Sequence, residues 1–260
     1  MQHKLIGIVG GMGPQAGVAL HEAIIRHTPV KKDQDHLSVV LMTYPGEITD
    51  RTAFLEGTTP VNPAIGILRV IEKQLALGVR VIGIPCNTSH APEIFNKIRN
   101  SLRQRHPEVL LVHLPEEVER YISQKHSPGY RLGLMATNGT YHAEIYQQQL
   151  SRKGYDYVVP PLEFQEEVVH KLIYDPKIGI KAKSVDFTDE AVSLWHKALD
   201  FFRQAHVNSI ILGCTELSLI HRQYPDDTLT FIDTTEVLAL SLIREATRPL
   251  PVKEHGYQNP

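Results

Sequence analysis

The chain contains few of the features that mark specialised classes of protein. Its 260 residues include two cysteines and one tryptophan, and the net charge is only −2. Two cysteines do not make a disulfide framework, and so balanced a charge gives no reason to expect nucleic acid or an acidic membrane as a partner. No apolar run approaches the roughly 18 residues of a membrane span, and the first residues lead into an apolar strand rather than a signal peptide. We therefore expect a cytoplasmic globular protein with reduced thiols.

Strand and helix patterns alternate along the whole chain. Eight short apolar segments predict buried strands, and most of the segments between them have the spacing of amphipathic helices. Such alternation predicts parallel sheets with helices on both faces, so the expected fold class is α/β with Rossmann-like topology. The predicted strands are residues 4–9, 38–43, 79–84, 109–114, 131–136, 155–159, 209–212 and 231–233.

The pattern repeats in the second half of the chain. Residues 126–129 form a break, and the 79 positions from Gly7 to Cys86 match the 81 positions from Gly133 to Cys214. We predict two pseudo-symmetric lobes, the first made of residues 1–118 and 228–260 and the second of residues 119–227. Open α/β sheets bind ligands at the carboxyl ends of their strands, so the active site is expected in the cleft between the lobes.

The two cysteines lie in matching contexts, one in each predicted lobe. Cys86 follows the apolar run VIGIP and precedes NTSH, whereas Cys214 follows IILG and precedes TEL. Each thiol is thus predicted at the carboxyl end of a strand and before the start of a helix. Backbone N–H groups at a helix start favour an anion, so either thiol is well placed to ionise.

Four interpretations of this pair differ in the chemistry that they require. Buried structural cysteines are common, but they do not explain the paired polar contexts. A redox pair needs sulfurs about 2.05 Å apart, and a zinc site with Cys86, Cys214 and His90 lacks a clear fourth ligand. Two-base proton transfer instead needs one thiol on each side of a carbon, with each sulfur about 3–3.5 Å from it. We favour this last interpretation because two facing lobes would supply both walls.

Five motifs together resemble those of aspartate racemases and, more broadly, the cofactor-independent aspartate/glutamate racemase superfamily. The resemblance covers nearly the whole chain in the family's order. It implies a two-domain α/β fold, catalysis by Cys86 and Cys214, no cofactor such as pyridoxal phosphate, no metal, and a homodimer. The motifs are IGIVGGMGP (residues 6–14), DQDH (33–36), DRT (50–52), PCNTSH (85–90) and LGCTEL (212–217).

The same resemblance suggests where the substrate's second carboxylate binds. Arg51 of the DRT motif resembles the family's side-chain-carboxylate arginine, and a guanidinium suits bidentate carboxylate binding. The family's lysine corresponds either to Lys181 or to Lys177, because the spacing from Tyr174 departs from the family pattern; we favour Lys181. Glu216 is expected to bind the substrate ammonium, to orient a base, or only to lie at a helix N-terminus where the helix dipole stabilises its carboxylate.

Small and hydroxyl-bearing residues are the candidate donors to the α-carboxylate. The glycines of the IGIVGGMGP motif allow backbone N–H groups to converge on an anion before a helix start. A dinucleotide site is less well supported by the same glycines because the full GxGxxG spacing is not met. The remaining candidate substrate-binding residues are Met12, Asn87, Thr88, Ser89, Thr137, Thr140 and Thr215.

The sequence therefore predicts a cofactor-independent amino-acid racemase whose small-molecule substrate is L- or D-aspartate. A glutamate or broad-specificity racemase is the neighbouring alternative. A relative that isomerises or decarboxylates a dicarboxylate is more distant, and retention of both cysteines argues against the decarboxylase. The remaining alternative is a non-catalytic module that binds dicarboxylates in the same cleft.

Overall fold

Two four-stranded parallel sheets organise the chain, and the computed structural model describes residues 3–249. The first sheet has the strand order β2-β1-β3-β4 and the second has the order β6-β5-β7-β8. The two orders are equivalent, so the repeat predicted from the sequence and the α/β fold class are both confirmed. The strands are β1 (Ile6–Gly10), β2 (Val39–Thr43), β3 (Val81–Gly83), β4 (Leu110–Leu111), β5 (Arg131–Ala136), β6 (Asp156–Val158), β7 (Ser209–Gly213) and β8 (Thr230–Asp233).

Helices connect the strands and cover the sheets. Several begin at side-chain caps, as when the Asp233 carboxylate accepts the N–H groups of Thr235 and Glu236. The helices are α1 (Pro14–His27), α2 (Arg51–Leu55), α3 (Ala64–Ala76), α4 (Pro92–Arg105), α5 (Leu114–Lys125), α6 (Asn138–His142), α7 (Gln147–Arg152), α8 (Leu162–Phe164), α9 (Lys171–Tyr174), α10 (Asp189–Gln204), α11 (Leu217–Gln223) and α12 (Thr234–Thr247).

The central strands are the most deeply buried elements. Every residue of β1 and β7 is buried, as expected for parallel strands that helices cover on both faces. Amphipathic helices supply the rest of each core, and α10 places Trp195 and Phe202 against the second sheet with essentially no exposure. Trp195, the one tryptophan of the chain, therefore packs in the core.

One predicted helix is divided. The sequence pattern at residues 142–152 predicts a single helix, whereas α6 begins earlier and α7 begins later. Thr137 caps α6 through the Thr140 N–H, and Glu144 then adopts a positive φ of 48°. Because few non-glycine residues adopt that backbone conformation within a helix, the chain turns there before α7 starts.

The end of the chain crosses from the second lobe to the first. Strand β8 pairs with β7, and α12 then packs against α1, α5 and β3. Residues 230–233, which the sequence pattern assigns to the first lobe, thus lie in the second sheet, and the crossing begins at Thr234. Residues 1–2 and 250–260 of the predicted first lobe lie outside the described residues.

The sheet order brings the two cysteines to equivalent positions. Cys86 lies three residues after β3, and Cys214 directly follows β7. Both strands are central in their sheets, so each thiol lies at the carboxyl edge where ligands of such folds bind. In residues 3–249, no helix is both long and apolar enough to cross a membrane.

Candidate active site

Cys86 and Cys214 line one enclosed cavity between the two lobes. The side chains that line it leave a free volume of about 10 Å³, roughly the room of one water molecule. A ligand that binds here must therefore displace contacts between the walls. The cavity walls are formed by Met12, Arg51, Cys86, Asn87, Thr88, Thr137, Tyr174, Lys181, Cys214, Thr215 and Glu216.

The thiol of Cys214 lies against a buried carboxylate. Its Sγ donates to Glu216 Oε2 at 3.0 Å. Burial raises the pKa of Cys214, and the negative charge of Glu216 raises it further, so the pKa lies well above the usual value for a thiol. Cys214 is therefore protonated in the unliganded cavity.

Glu216 is ionised because several donors converge on its carboxylate. Lys181 Nζ donates to Oε1 at 2.5 Å and the Gly13 N–H donates to the same oxygen at 3.2 Å. Burial alone would raise the pKa of Glu216, but the Lys181 ammonium and the Cys214 hydrogen bond lower it to about 2. The same ion pair raises the pKa of Lys181 above its usual value, despite the opposing effect of burial.

Arg51 supplies the positive charge on the Cys86 side of the cavity. Burial alone would lower the pKa of Arg51, but neighbouring Cys86, Tyr174 and Asp50 raise it above the usual value. The guanidinium is almost fully buried, and its Nε has no hydrogen-bond partner within the described residues. A buried cation with an unused donor is suited to an anionic ligand.

The two cations meet at one backbone oxygen. The Met12 carbonyl accepts Arg51 Nη2 at 3.0 Å and Lys181 Nζ at 3.4 Å. Arg51 comes from α2 of the first lobe, whereas Lys181 follows α9 of the second. Lys177, the other candidate lysine, is exposed and absent from the cavity wall. The structure therefore brings Lys181, and not Lys177, to Arg51.

Three threonine hydroxyls form a buried cluster behind the Cys86 wall. Thr88 Oγ1 lies 3.0 Å from both Thr137 Oγ1 and Thr140 Oγ1, which are 3.2 Å apart. Thr88 and Thr137 line the cavity, but Thr140 lies behind them. Because Thr88 belongs to the first lobe and the other two to the second, the cluster joins the lobes beside the site.

The structure places two of the candidate substrate-binding residues, Ser89 and Thr140, outside the cavity wall. Ser89 is fully buried and donates to the Met12 Sδ at 3.3 Å, so it supports Met12 from outside the cavity. Thr140 also lies behind the wall, where its hydroxyl contacts those of Thr88 and Thr137. His90 packs between Phe95 and His113 with centroid distances of 4.9 and 5.3 Å. Ser89 and Thr140 are thus not positioned to touch a ligand in this cavity.

Tyr174 lines the cavity, although it is not among the candidate site residues predicted from the sequence. The phenol OH of Tyr174 donates to Asp50 Oδ2 at 3.1 Å and accepts from Thr52 Oγ1 at 3.4 Å. Its ring lies 5.3 Å from Lys181 Nζ. The sequence did contain a signal for Tyr174, because the family pattern around the lysine includes a tyrosine.

The helix N-termini are less well placed to stabilise negative charge on the thiols than the sequence pattern predicts. Cys86 precedes a short 3₁₀ turn, Asn87–His90, and α4 begins only at Pro92. Helix α11 has seven residues and starts three positions after Cys214. Charged side chains therefore set the environment of the thiols more than helix dipoles do. Across residues 3–249, no group of three or more His, Cys, Asp or Glu side chains is arranged to hold a metal ion.

Known proteins share both this fold and its sequence pattern. The sequence model of the Asp/Glu/Hydantoin racemase family matches residues 9–242. The broad specificity amino-acid racemase RacX of Bacillus subtilis is 23% identical over 249 residues, which cover 92% of this chain and 96% of RacX. Among solved structures, the Picrophilus torridus aspartate racemase has a TM-score of 0.76 and 26% identity, covering 95% of this chain and 96% of that one. Glutamate racemase RacE1 of Bacillus anthracis shares the fold, with a TM-score of 0.63 and 15% identity over 94% and 82% of the two chains.

Proposed function

Because the chain belongs to the Asp/Glu/Hydantoin racemase family, we propose that it interconverts L- and D-aspartate by two-base proton transfer between Cys86 and Cys214. The observation that carries this proposal is that two thiols from different lobes line one small cavity. Both cysteines are free thiols rather than partners in a disulfide. The family's name covers racemases of aspartate, glutamate and hydantoin, and the choice of substrate and the mechanism are our inference.

The side chains beside the two thiols carry opposite charges. Cys214 retains its proton because burial and Glu216 both raise its pKa. Cys86 lies beside the Arg51 guanidinium, which is a suitable counter-ion for a thiolate. Because Cys214 holds its proton, Cys214 is the acid in our proposal and Cys86 is the base. One thiolate and one thiol are what a single inversion requires.

The reaction then moves one proton off the α-carbon and another onto it. The Cys86 thiolate takes the α-proton, and the electron pair of the broken C–H bond spreads into the α-carboxylate. Cys214 donates its proton to the opposite face, which leaves Cys86 as the thiol and Cys214 as the thiolate. Hydroxyl and amide groups of Thr88, Thr137 and Asn87 are the candidate donors that stabilise the negative charge on that carboxylate.

The charge balance of the cavity favours a dicarboxylic amino acid. Arg51 and Lys181 converge from different lobes on the Met12 carbonyl, so a carboxylate that displaced this contact would face two cations. Lys181 would then leave Glu216, and the substrate ammonium could replace it as the partner of that carboxylate. The exchange keeps Glu216 paired, as a buried charge requires.

A broad-specificity amino-acid racemase is the second candidate function. Lys181 already has a carboxylate partner in Glu216 at 2.5 Å, so a substrate without a side-chain carboxylate would leave that pair intact. Activity towards monocarboxylic amino acids comparable with that towards aspartate would favour this candidate. A panel of L-amino acids analysed by chiral chromatography separates the two.

Incubation of the protein with L-aspartate in deuterated water tests the reaction itself. We expect D-aspartate to accumulate with deuterium at the α-carbon, as measured by proton NMR and chiral chromatography. Cys86→Ala and Cys214→Ala should each lose inversion, because each removes one of the two proton carriers. Tight binding of aspartate with an unchanged α-proton signal would instead support a binding module, and full inversion by either variant would exclude the two-base mechanism.

A further inference from the structure

Hydrogen bonds join the loop that carries Cys86 directly to the loop that carries Cys214. Thr215, which follows Cys214, donates its hydroxyl to the Pro85 carbonyl at 3.2 Å. Pro85 immediately precedes Cys86. The hydroxyl also lies 3.2 Å from Glu216 Oε2, and Thr215 is almost fully buried. One side chain thus links the backbones next to both thiols.

A second link runs through Thr234, the first residue of α12. Asn87, which follows Cys86, donates from Nδ2 to Thr234 Oγ1 at 3.2 Å. The Thr234 hydroxyl in turn donates to the carbonyl of Leu212 at 2.8 Å, two residues before Cys214. Thr234 is fully buried, and the Tyr146 hydroxyl holds the other end of the Asn87 amide. Both hydrogen-bonding functions of the Thr234 hydroxyl are therefore used.

The two links are related by the pseudo-symmetry of the lobes. In each loop, the residue after the cysteine reaches towards the backbone that leads into the opposite cysteine. Asn87 needs Thr234 as an intermediary, whereas Thr215 reaches Pro85 directly. Thr234 lies where the chain leaves the second sheet for the first lobe, so the crossing helix begins between the two cysteine loops.

We propose that Thr234 and Thr215 are positioning residues that fix the separation of the two thiols. The proposal rests on the proposed function, because only a two-base reaction requires a defined distance from each sulfur to one carbon. A thiol is one Cβ away from its backbone, so the relation between the two loop backbones limits where the sulfurs lie. Misplacement of a reacting group by 1 Å costs about 10²-fold in rate.

Threonine-to-valine substitutions remove the hydroxyl and keep the branched shape. In Thr234→Val and Thr215→Val, we expect kcat for aspartate racemisation to fall about tenfold or more while KM changes much less, since the thiols are misplaced rather than the carboxylate donors. Thr234→Ser and Thr215→Ser keep a hydroxyl and should restore most of kcat. Thr235→Val is the matched control, because Thr235 is equally buried but its hydroxyl lies 3.4 Å from Ser218.

The distribution of deuterium gives a readout that lost stability would not change. In deuterated water, a thiol that removes the α-proton but has no well-placed opposite donor exchanges its proton and returns deuterium to the same face. The valine variants should therefore recover substrate with more α-deuterium, relative to the inverted product, than either the wild type or Thr235→Val. Thermal unfolding of all variants identifies any that do not fold. If one of the two valine variants does not fold, the valine variant at the other position tests the proposal.

The outcomes separate this inference from the proposed function. A Thr234→Val protein that matches Thr235→Val in kcat and in deuterium distribution overturns the positioning role. A Thr215→Ser protein no more active than Thr215→Val does the same for the second link. A wild-type protein that neither inverts aspartate nor exchanges its α-proton contradicts the proposed function, whatever the valine variants do.

Discussion

Replacing Glu216 with glutamine tests the charge asymmetry on which the assignment of acid and base depends. The Glu216 carboxylate lies 3.0 Å from the Cys214 sulfur and is ionised. Glutamine has nearly the same shape but no charge, so the buried thiol loses a neighbouring anion. The Lys181 ammonium, which lowers the pKa of Cys214, then acts unopposed. Both changes favour the thiolate, and we expect the pKa of Cys214 to fall.

Coulomb's law bounds the size of the effect. Two unit charges separated by the 3.0 Å of this contact repel by about 5.5 kcal/mol at an effective dielectric constant of about 20. Since one pKa unit corresponds to about 1.36 kcal/mol, the full removal of that repulsion is worth about 4 units. Rearrangement of Lys181 and entry of water reduce the change, so we expect a fall of at least about one unit.

The rate of alkylation of Cys214 as a function of pH measures this shift. A Cys86→Ala background leaves one thiol to react, and its midpoint is compared with and without Glu216→Gln. Glu190→Gln is the control, because it breaks a surface Lys171–Glu190 pair of 2.9 Å. An unchanged or higher midpoint in the Glu216→Gln protein would refute the claim that Glu216 keeps Cys214 protonated.

Two further predictions follow from the cavity and from the contact between the lobes. Lys181→Met should raise KM for aspartate by about 10–100-fold, as expected for loss of a charged hydrogen bond of about 1.5–3 kcal/mol, with the exposed Lys177→Met as control; equal effects of the two in steady-state kinetics would contradict the choice of Lys181. Gly139→Ala should lower the free energy of unfolding by about 1–3 kcal/mol, because its Cβ would lie 2.6 Å from Thr88 Cγ2. Gly46→Ala, where a Cβ meets nothing within 4 Å, should change it little, and denaturant titration of both variants shows whether the clash is real.

Local patterns in the sequence were sufficient to predict the fold. Apolar runs bounded by glycine and small polar residues correspond to all eight strands, because parallel strands covered on both faces need such runs. The similar spacings from Gly7 to Cys86 and from Gly133 to Cys214 likewise correspond to two sheets of the same order. The limits of the last lobe segment were wrong by several residues, since only strand pairing reveals that β8 completes the second sheet.

The site could be predicted only in part. Cysteines that end central strands were identifiable because strand ends in an α/β fold converge. The roles of Tyr174 and Thr234 were not, because each acts through a contact with a residue more than a hundred positions away, Asp50 and Asn87 respectively. Local propensity contains no information about such pairs. The choice between Lys181 and Lys177 was likewise decided by burial, which their neighbouring sequences do not distinguish.

The lobes repeat each other, but the two walls of the cavity carry different charges, and the proposed reaction on aspartate accounts for this difference. The position two residues after the cysteine holds Thr88 in the first lobe and Glu216 in the second. Enantiomers of aspartate exchange only the hydrogen at one carbon, so the proton carriers must be paired, while the carboxylates and the ammonium need partners of fixed sign. Since enantiomers have equal free energy, unequal walls leave the equilibrium at one to one and kcat/KM the same in both directions. Glu216→Gln must therefore change kcat/KM by the same factor for L- and D-aspartate, and any asymmetry that it introduces must appear in kcat and KM separately.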